Sequence, residues 1–118
     1  MGLTIDKREV SGIVVIDLAG DSTISDGSII QQTVRKLTEE GKRWFILNLQ
    51  NLRYVDSFGL GQFVSSFIAV RDLKGGMRVV NPNSKVRDLL KYTRIDTVLQ
   101  IMPGETEALA DLQKQASS

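Results

Sequence analysis

The residue types able to do chemistry in this chain gather in one stretch, Leu52-Arg53-Tyr54-Val55-Asp56-Ser57-Phe58-Gly59-Leu60-Gly61. A carboxylate and a hydroxyl stand side by side there, just ahead of Leu60, Phe63, Val64 and Phe67, whose spacing predicts a helix. The first N–H groups of a helix have no partner within it, so Asp56 and Ser57 are both suited to cap this one. In an open α/β sheet, the junction from a strand's carboxyl end into a helix is also where function concentrates, because the loop is exposed. The residues alone leave two readings open. Ser57 is a cap, with Gly59 and Gly61 allowing close packing of helix on sheet, or its hydroxyl is a functional group. Catalysis by the pair is disfavoured, because a serine beside a carboxylate, with no His and no evident Lys base, is a poor nucleophile system.

Composition removes most other chemistries. The 118 residues include no His and no Cys, which excludes zinc fingers, Cys nucleophiles, Ser-His-Asp triads, His-ligated metals and disulfides. No catalytic residue, metal site or cofactor is expected, and the chain is not expected to be an enzyme. Lys and Arg number 15 against 14 Asp and Glu, a formal charge of +1, which is no footprint for nucleic acid. Arg71, Lys74 and Arg78, like Lys85, Arg87, Lys91 and Arg94, are interspersed with Asp72, Asp88 and Asp96 and read as solvated helix faces. Apolar runs such as Ile13–Ile16 fall far short of the roughly 18 residues of a membrane span. Met1 to Val10 lacks an apolar signal core, and Asp6 stands where a myristoylation signal at Gly2 needs Ser or Thr. A cytoplasmic protein without membrane insertion is the expectation. Gly59-Leu60-Gly61 and Gly75-Gly76 lack the spacing and the Lys of a phosphate-binding loop and are assigned to turns and packing.

The elements that must position Asp56 and Ser57 follow from periodicity. A length of 118 residues suits one domain over residues 1–118, with an ordered core over about 3–113. Leu3 to Ala19 reads as an antiparallel hairpin turning at Ser11-Gly12. A polar stretch, Asp21 to Ser28, leads into a helix on Ile30, Val34 and Leu37 that stops at Gly41. Trp44 to Leu47 is a short apolar strand, central to the sheet. After the Leu60 helix come a strand at Met77–Val80, a turn and cap at Asn81–Ser84, and a helix on Val86, Leu89 and Leu90. A strand near Val98–Met102 and a helix bearing Ala108 and Leu112 close the chain, fraying from Gln115 to Ser118. Strands separated by helices imply mostly parallel pairing, so the fold class is α/β: a mixed sheet of four to five strands, an N-terminal hairpin and about four helices. Phe63 and Phe67 are assigned to the core, whereas Phe58, outside the buried stripe, is expected to be exposed.

The run Val55-Asp56-Ser57-Phe58-Gly59-Leu60-Gly61 resembles the signature of the STAS domain family, specifically its bacterial anti-sigma factor antagonists: apolar, Asp, Ser, variable, Gly, Leu or Ile, Gly. Further resemblance lies in Ile13–Gly20, Leu47–Leu52, Gly75-Gly76, and Val80-Asn81-Pro82 with Val86, Leu89 and Leu90. It implies a STAS-like domain that binds an anti-sigma factor serine/threonine kinase and releases a sigma factor. Ser57 would be the residue that the kinase phosphorylates and a phosphatase resets. The partner surface would comprise Asp21, Ser22, Thr23, Asp56, Ser57, Phe58, Gly59 and Gly61. The alternative is a STAS-type scaffold or accessory subunit, in a stress-sensing assembly or lipid transport, that binds a non-kinase partner. A homodimer is left open. The chain departs from many relatives at Phe58, where they carry a second Ser or Thr, and at Thr23, where they carry an acidic residue; Asp21 is the nearby acidic side chain considered as its substitute. Phosphorylation would add about −1.5 to −2 charge at the helix start.

Overall fold

The hairpin anticipated at the N-terminus is formed in the computed structural model, which describes residues 2–118; Met1 lies outside the described residues. Strand β1 (Leu3–Val10) pairs antiparallel with β2 (Ile13–Ser22), and the turn residues Ser11 and Gly12 take positive φ of 53° and 83°. Helix α1 (Ile29–Glu39) buries Ile30, Val34 and Leu37 and ends before Gly41, whose φ of +95° suits glycine. Strand β3 (Trp44–Val55), helix α2 (Ser57–Asp72), strand β4 (Gly76–Val80), helix α3 (Ser84–Tyr92), strand β5 (Ile101–Met102) and helix α4 (Glu105–Ala116) follow. The five strands lie in the order β1-β2-β3-β4-β5, parallel except for the first pair. No described helix is long and apolar enough to cross a membrane.

Each face of the sheet has its own core. Val14, Ile16 and Leu18 of β2 with Phe45, Leu47 and Leu49 of β3 pack under α1, α2 and α3. Ile13, Val15, Ile46 and Val80 pack under Ala108 and Leu112 of α4. Beyond α4 this second face turns polar. Arg8 on β1 donates to both carboxylate oxygens of Asp17 (2.7 and 3.0 Å) and of Glu105 (2.6 and 2.9 Å), while Asn48 donates to Asp17 at 2.9 Å. The Arg8 guanidinium holds the Asp17 and Glu105 carboxyls below the usual carboxylate range.

Several boundaries differ from the sequence expectation. β3 does not stop near Leu47 but continues to Val55, and β2 runs past Ala19 to Ser22, because the two keep pairing through Asp21–Tyr54 and Ser22–Val55 beyond two register shifts. The final strand shrinks to Ile101–Met102, since Ile95–Thr97 form a 3-10 turn that leads into Val98. Helix α4 holds to Ala116 rather than fraying from Gln115. The buried side of α2 comprises Gly59, Leu60, Gln62, Phe63, Ser66 and Val70; Val64 and Phe67 are only half-buried.

Candidate functional site

The carboxyl ends of β2 and β3 meet where α2 begins. Val55 is the last buried residue of β3, and the Asp56 N–H donates to Ser22 O at 3.0 Å, tying the two strand ends together. Asp56, in extended backbone, is the N-cap of α2. Its Oδ1 accepts from Gly59 N at 2.9 Å, and its Oδ2 accepts from Ile24 N at 3.0 Å. One carboxylate thus satisfies orphan donors of two segments, the helix and the 3-10 turn Ile24–Asp26.

That division of labour decides between the two readings of the motif's polar pair, as far as capping goes. Asp56 is the cap. Ser57 is the first residue of the helix, exposed, and among the described residues no hydrogen bond involves its Oγ. Phe58, next to it, is 37% exposed, and the segments that meet here carry further exposed apolar side chains: Ile24 on the turn bonded to Asp56, Ile29 at the start of α1 and Tyr54 near the end of β3. A groove of about 320 Å³ between α1 and α2 runs past Ser28, Gln31, Ser57, Phe58, Gly61 and Ser65.

The two motif glycines do different things. A Cβ on Gly59 would lie 2.6 Å from a Val55 methyl, 2.7 Å from Ser22 O and 2.7 Å from Ser22 Oγ, so only glycine lets α2 seat on the strand ends. A Cβ on Gly61 would meet nothing within 4 Å. A glycine inside a helix is less favourable than alanine by roughly 0.5–1 kcal/mol, and no packing among the described residues explains it at Gly61.

Of Asp21, Ser22 and Thr23, only Ser22 lies where a contact role is ruled out. Ser22 is fully buried, its hydroxyl facing Gly59 without a hydrogen-bond partner among the described residues. Its side chain cannot reach a partner, because α2 covers it. Asp21 pairs with Arg53 of β3 at 3.3 Å, so the carboxylate that organises the loop is Asp26 instead. Asp26 accepts from Thr23 N at 2.9 Å and Leu3 N at 3.0 Å, while Thr23 Oγ1 accepts from Ser25 N at 3.3 Å. The Thr23 N–H, then the Leu3 N–H, keep the Asp26 carboxyl below its ordinary range. Sequence reasoning missed Asp26, Ile24, Ile29 and Gln62. For Gln62 there was a signal, a polar residue on the apolar side of the helix.

Among the described residues, no group of three or more His, Cys, Asp or Glu could hold a metal ion. What the site offers is an unengaged hydroxyl at a helix start, beside the exposed Phe58 and a groove lined mainly by small and polar side chains. Such an arrangement can be docked against and modified.

Comparison with known proteins returns the same region as part of a larger match. The STAS domain family model matches residues 4–108. The anti-sigma F factor antagonist of Paenibacillus polymyxa is 24% identical over 114 residues, spanning 96% of this chain and 97% of that one. The crystal structure of the Thermotoga maritima protein TM1081 superposes with a TM-score of 0.87 at 23% identity, covering 92% of this chain and 94% of that one. The Bacillus protein SpoIIAA, solved in its phosphorylated form, superposes with a TM-score of 0.71 at 20% identity over 92% of this chain and 98% of that one.

Proposed function

The chain belongs to the STAS domain family, and from that premise we propose that it is an anti-sigma factor antagonist, a binding module rather than an enzyme. It docks an anti-sigma factor serine/threonine kinase on the start of α2 and thereby frees a sigma factor. Phosphorylation of Ser57 ends the interaction, and a phosphatase restores it. The contact surface comprises Ser57, Phe58 and Gly61, with Asp21 at the end of β2 and Thr23 on the loop that follows; Asp56 and Gly59 build it from beneath.

The observation that carries this reading is the division between Asp56 and Ser57. With Asp56 satisfying the helix start, the Ser57 hydroxyl has no structural duty to abandon when it is modified. Curated relatives named as anti-sigma factor antagonists, and a phosphorylated form of SpoIIAA, support it by similarity. The physics is a change of charge and bulk at an interface. A phosphate at the helix N-terminus is tolerated within the chain, favoured by about 0.3–1 kcal/mol at an exposed site and partly offset by the Asp56 charge. The same phosphate placed against an apolar partner surface is desolvated and repelled. Gly61 agrees with this picture, since a missing Cβ on the outer face of α2 lets a partner approach closely. Incubation with ATP and an anti-sigma kinase, followed by phosphosite mapping, tests the assignment: modification at Ser57 is expected, and modification at Ser65 or Ser66 instead overturns it.

A further inference from the structure

Gln62 is only 3% exposed, on the side of α2 that faces the core, yet both ends of its amide are engaged. Its Oε1 accepts from Ile30 N at 3.1 Å and from Gln31 N at 3.2 Å, and its Nε2 donates to Gly27 O at 2.8 Å. Ile30 and Gln31 belong to the first turn of α1, whose own N-cap residue, Ser28, makes no side-chain cap bond. The orphan N–H groups of α1 are therefore satisfied by a side chain of α2.

The consequence reaches the surface. The connection from β2 to α1 carries the exposed Ile24 and leads into the exposed Ile29 at the start of α1. Asp56 holds its beginning at Ile24 N, and Gln62 holds its end at Gly27 O and Ile30 N. One tether comes from the N-cap and the other from the body of α2, the helix that presents Ser57 and Phe58. A neutral amide suits the second one, since it supplies an acceptor and a donor together without burying a charge.

We propose that Gln62 is a positioning residue for partner docking. By capping α1 from α2 it holds Ile24 and Ile29 beside Ser57 and Phe58 as one apolar surface, so affinity depends on a side chain that is itself buried. The docking half of this proposal rests on the anti-sigma antagonist reading; the cap does not. The test is Gln62→Met in the full chain, read by amide hydrogen exchange and by kinetics with an anti-sigma kinase that phosphorylates the unaltered chain. Loss of the cap should speed exchange at Ile30 and Gln31 by about tenfold, leave Val79 in β4 unchanged, and raise KM for phosphorylation of Ser57 several-fold with kcat unaltered. Unchanged exchange at Ile30 and Gln31 overturns the cap, and faster exchange with unchanged KM overturns its role in docking. If no anti-sigma kinase modifies the unaltered chain, the functional reading falls with the docking half, while the exchange result still decides the cap. Gln62→Glu, compared with the unaltered chain at pH 4, where a buried carboxyl is protonated and keeps both an acceptor and a donor, is the second variant. Wild-type protection should persist at Ile30 and Gln31, and its loss there contradicts the proposal even if Gln62→Met does not fold.

Discussion

The polar network on the α4 side of the sheet and the start of α2 are both made of a few polar residues where elements meet, yet they end in opposite states. Around Arg8 the charges satisfy each other: one guanidinium engages both Asp17 and Glu105, and Asn48 completes the Asp17 carboxylate. Nothing there calls for an outside partner. At the start of α2 the polar groups are spent on backbone donors, Asp56 on Gly59 and Ile24, Gln62 on α1. That leaves a hydroxyl unengaged and Ile24, Ile29 and Phe58 in solvent. One region closes on itself, and the other is a rigid frame around an open surface. A surface held this firmly but left incomplete is what a binding module needs, because little ordering entropy remains to be lost on docking.

The sharpest way to break this contrast is at the frame. Gly59→Ala should destabilise the fold by about 3 kcal/mol, since the new methyl meets the Ser22 carbonyl oxygen at 2.7 Å. Gly61→Ala, two residues on, should instead raise stability by roughly 0.5–1 kcal/mol while weakening partner binding. Urea denaturation of the two variants checks the opposite signs, and equal losses in both would show that Gly61 is also a packing residue.

At the open surface the expected effect is on binding. Phe58→Ala should cost about 2 kcal/mol of partner affinity with little change in melting temperature. A large stability loss with affinity retained would place Phe58 in the core instead.

The smallest effect lies in the closed network, whose members are partly exposed and so contribute only about 1 kcal/mol or less. Asp17 and Glu105 have lower pKa values folded than unfolded, through their hydrogen bonds to Arg8. Their contribution is therefore complete above the ordinary carboxylate range near pH 4 and is lost as the pH falls through the folded values below it. Melting temperatures followed from pH 7 to pH 2 should show a shallower acid decline for Arg8→Gln than for the unaltered chain, with partner affinity at pH 7 unaffected.

How legible each region was in the sequence differs for a physical reason. Helices α1 and α3, the hairpin and the central placement of β3 announce themselves through apolar periodicity, as does the junction at Asp56-Ser57. The second half of β3 does not. Asn48, Gln50, Asn51, Arg53 and Tyr54 face the uncovered side or the register shift, so they carry no apolar pattern even though their backbone is paired. Strand β5 is only two residues long, too short for any period. At the site, the capping roles of Asp56 and Ser57 were ambiguous because both residue types cap helices, and only the Asp56 Oδ1 contact to Gly59 N separates them. The resemblance to the STAS family places Ser22 on the partner surface; the seat of Gly59 on top of it is a tertiary fact that no residue pattern announces. Gln62 belongs to the same class, since its partners lie 31 and 32 positions away on α1.

The central claim is that the open surface around Ser57 binds when uncharged and releases when charged. Titration calorimetry of an anti-sigma kinase into Ser57→Ala and into Ser57→Asp tests it most directly. The account predicts tight binding by Ser57→Ala and a loss of at least tenfold in affinity, about 1.4 kcal/mol, for Ser57→Asp, with both variants melting alike. Equal affinities for the two would contradict it.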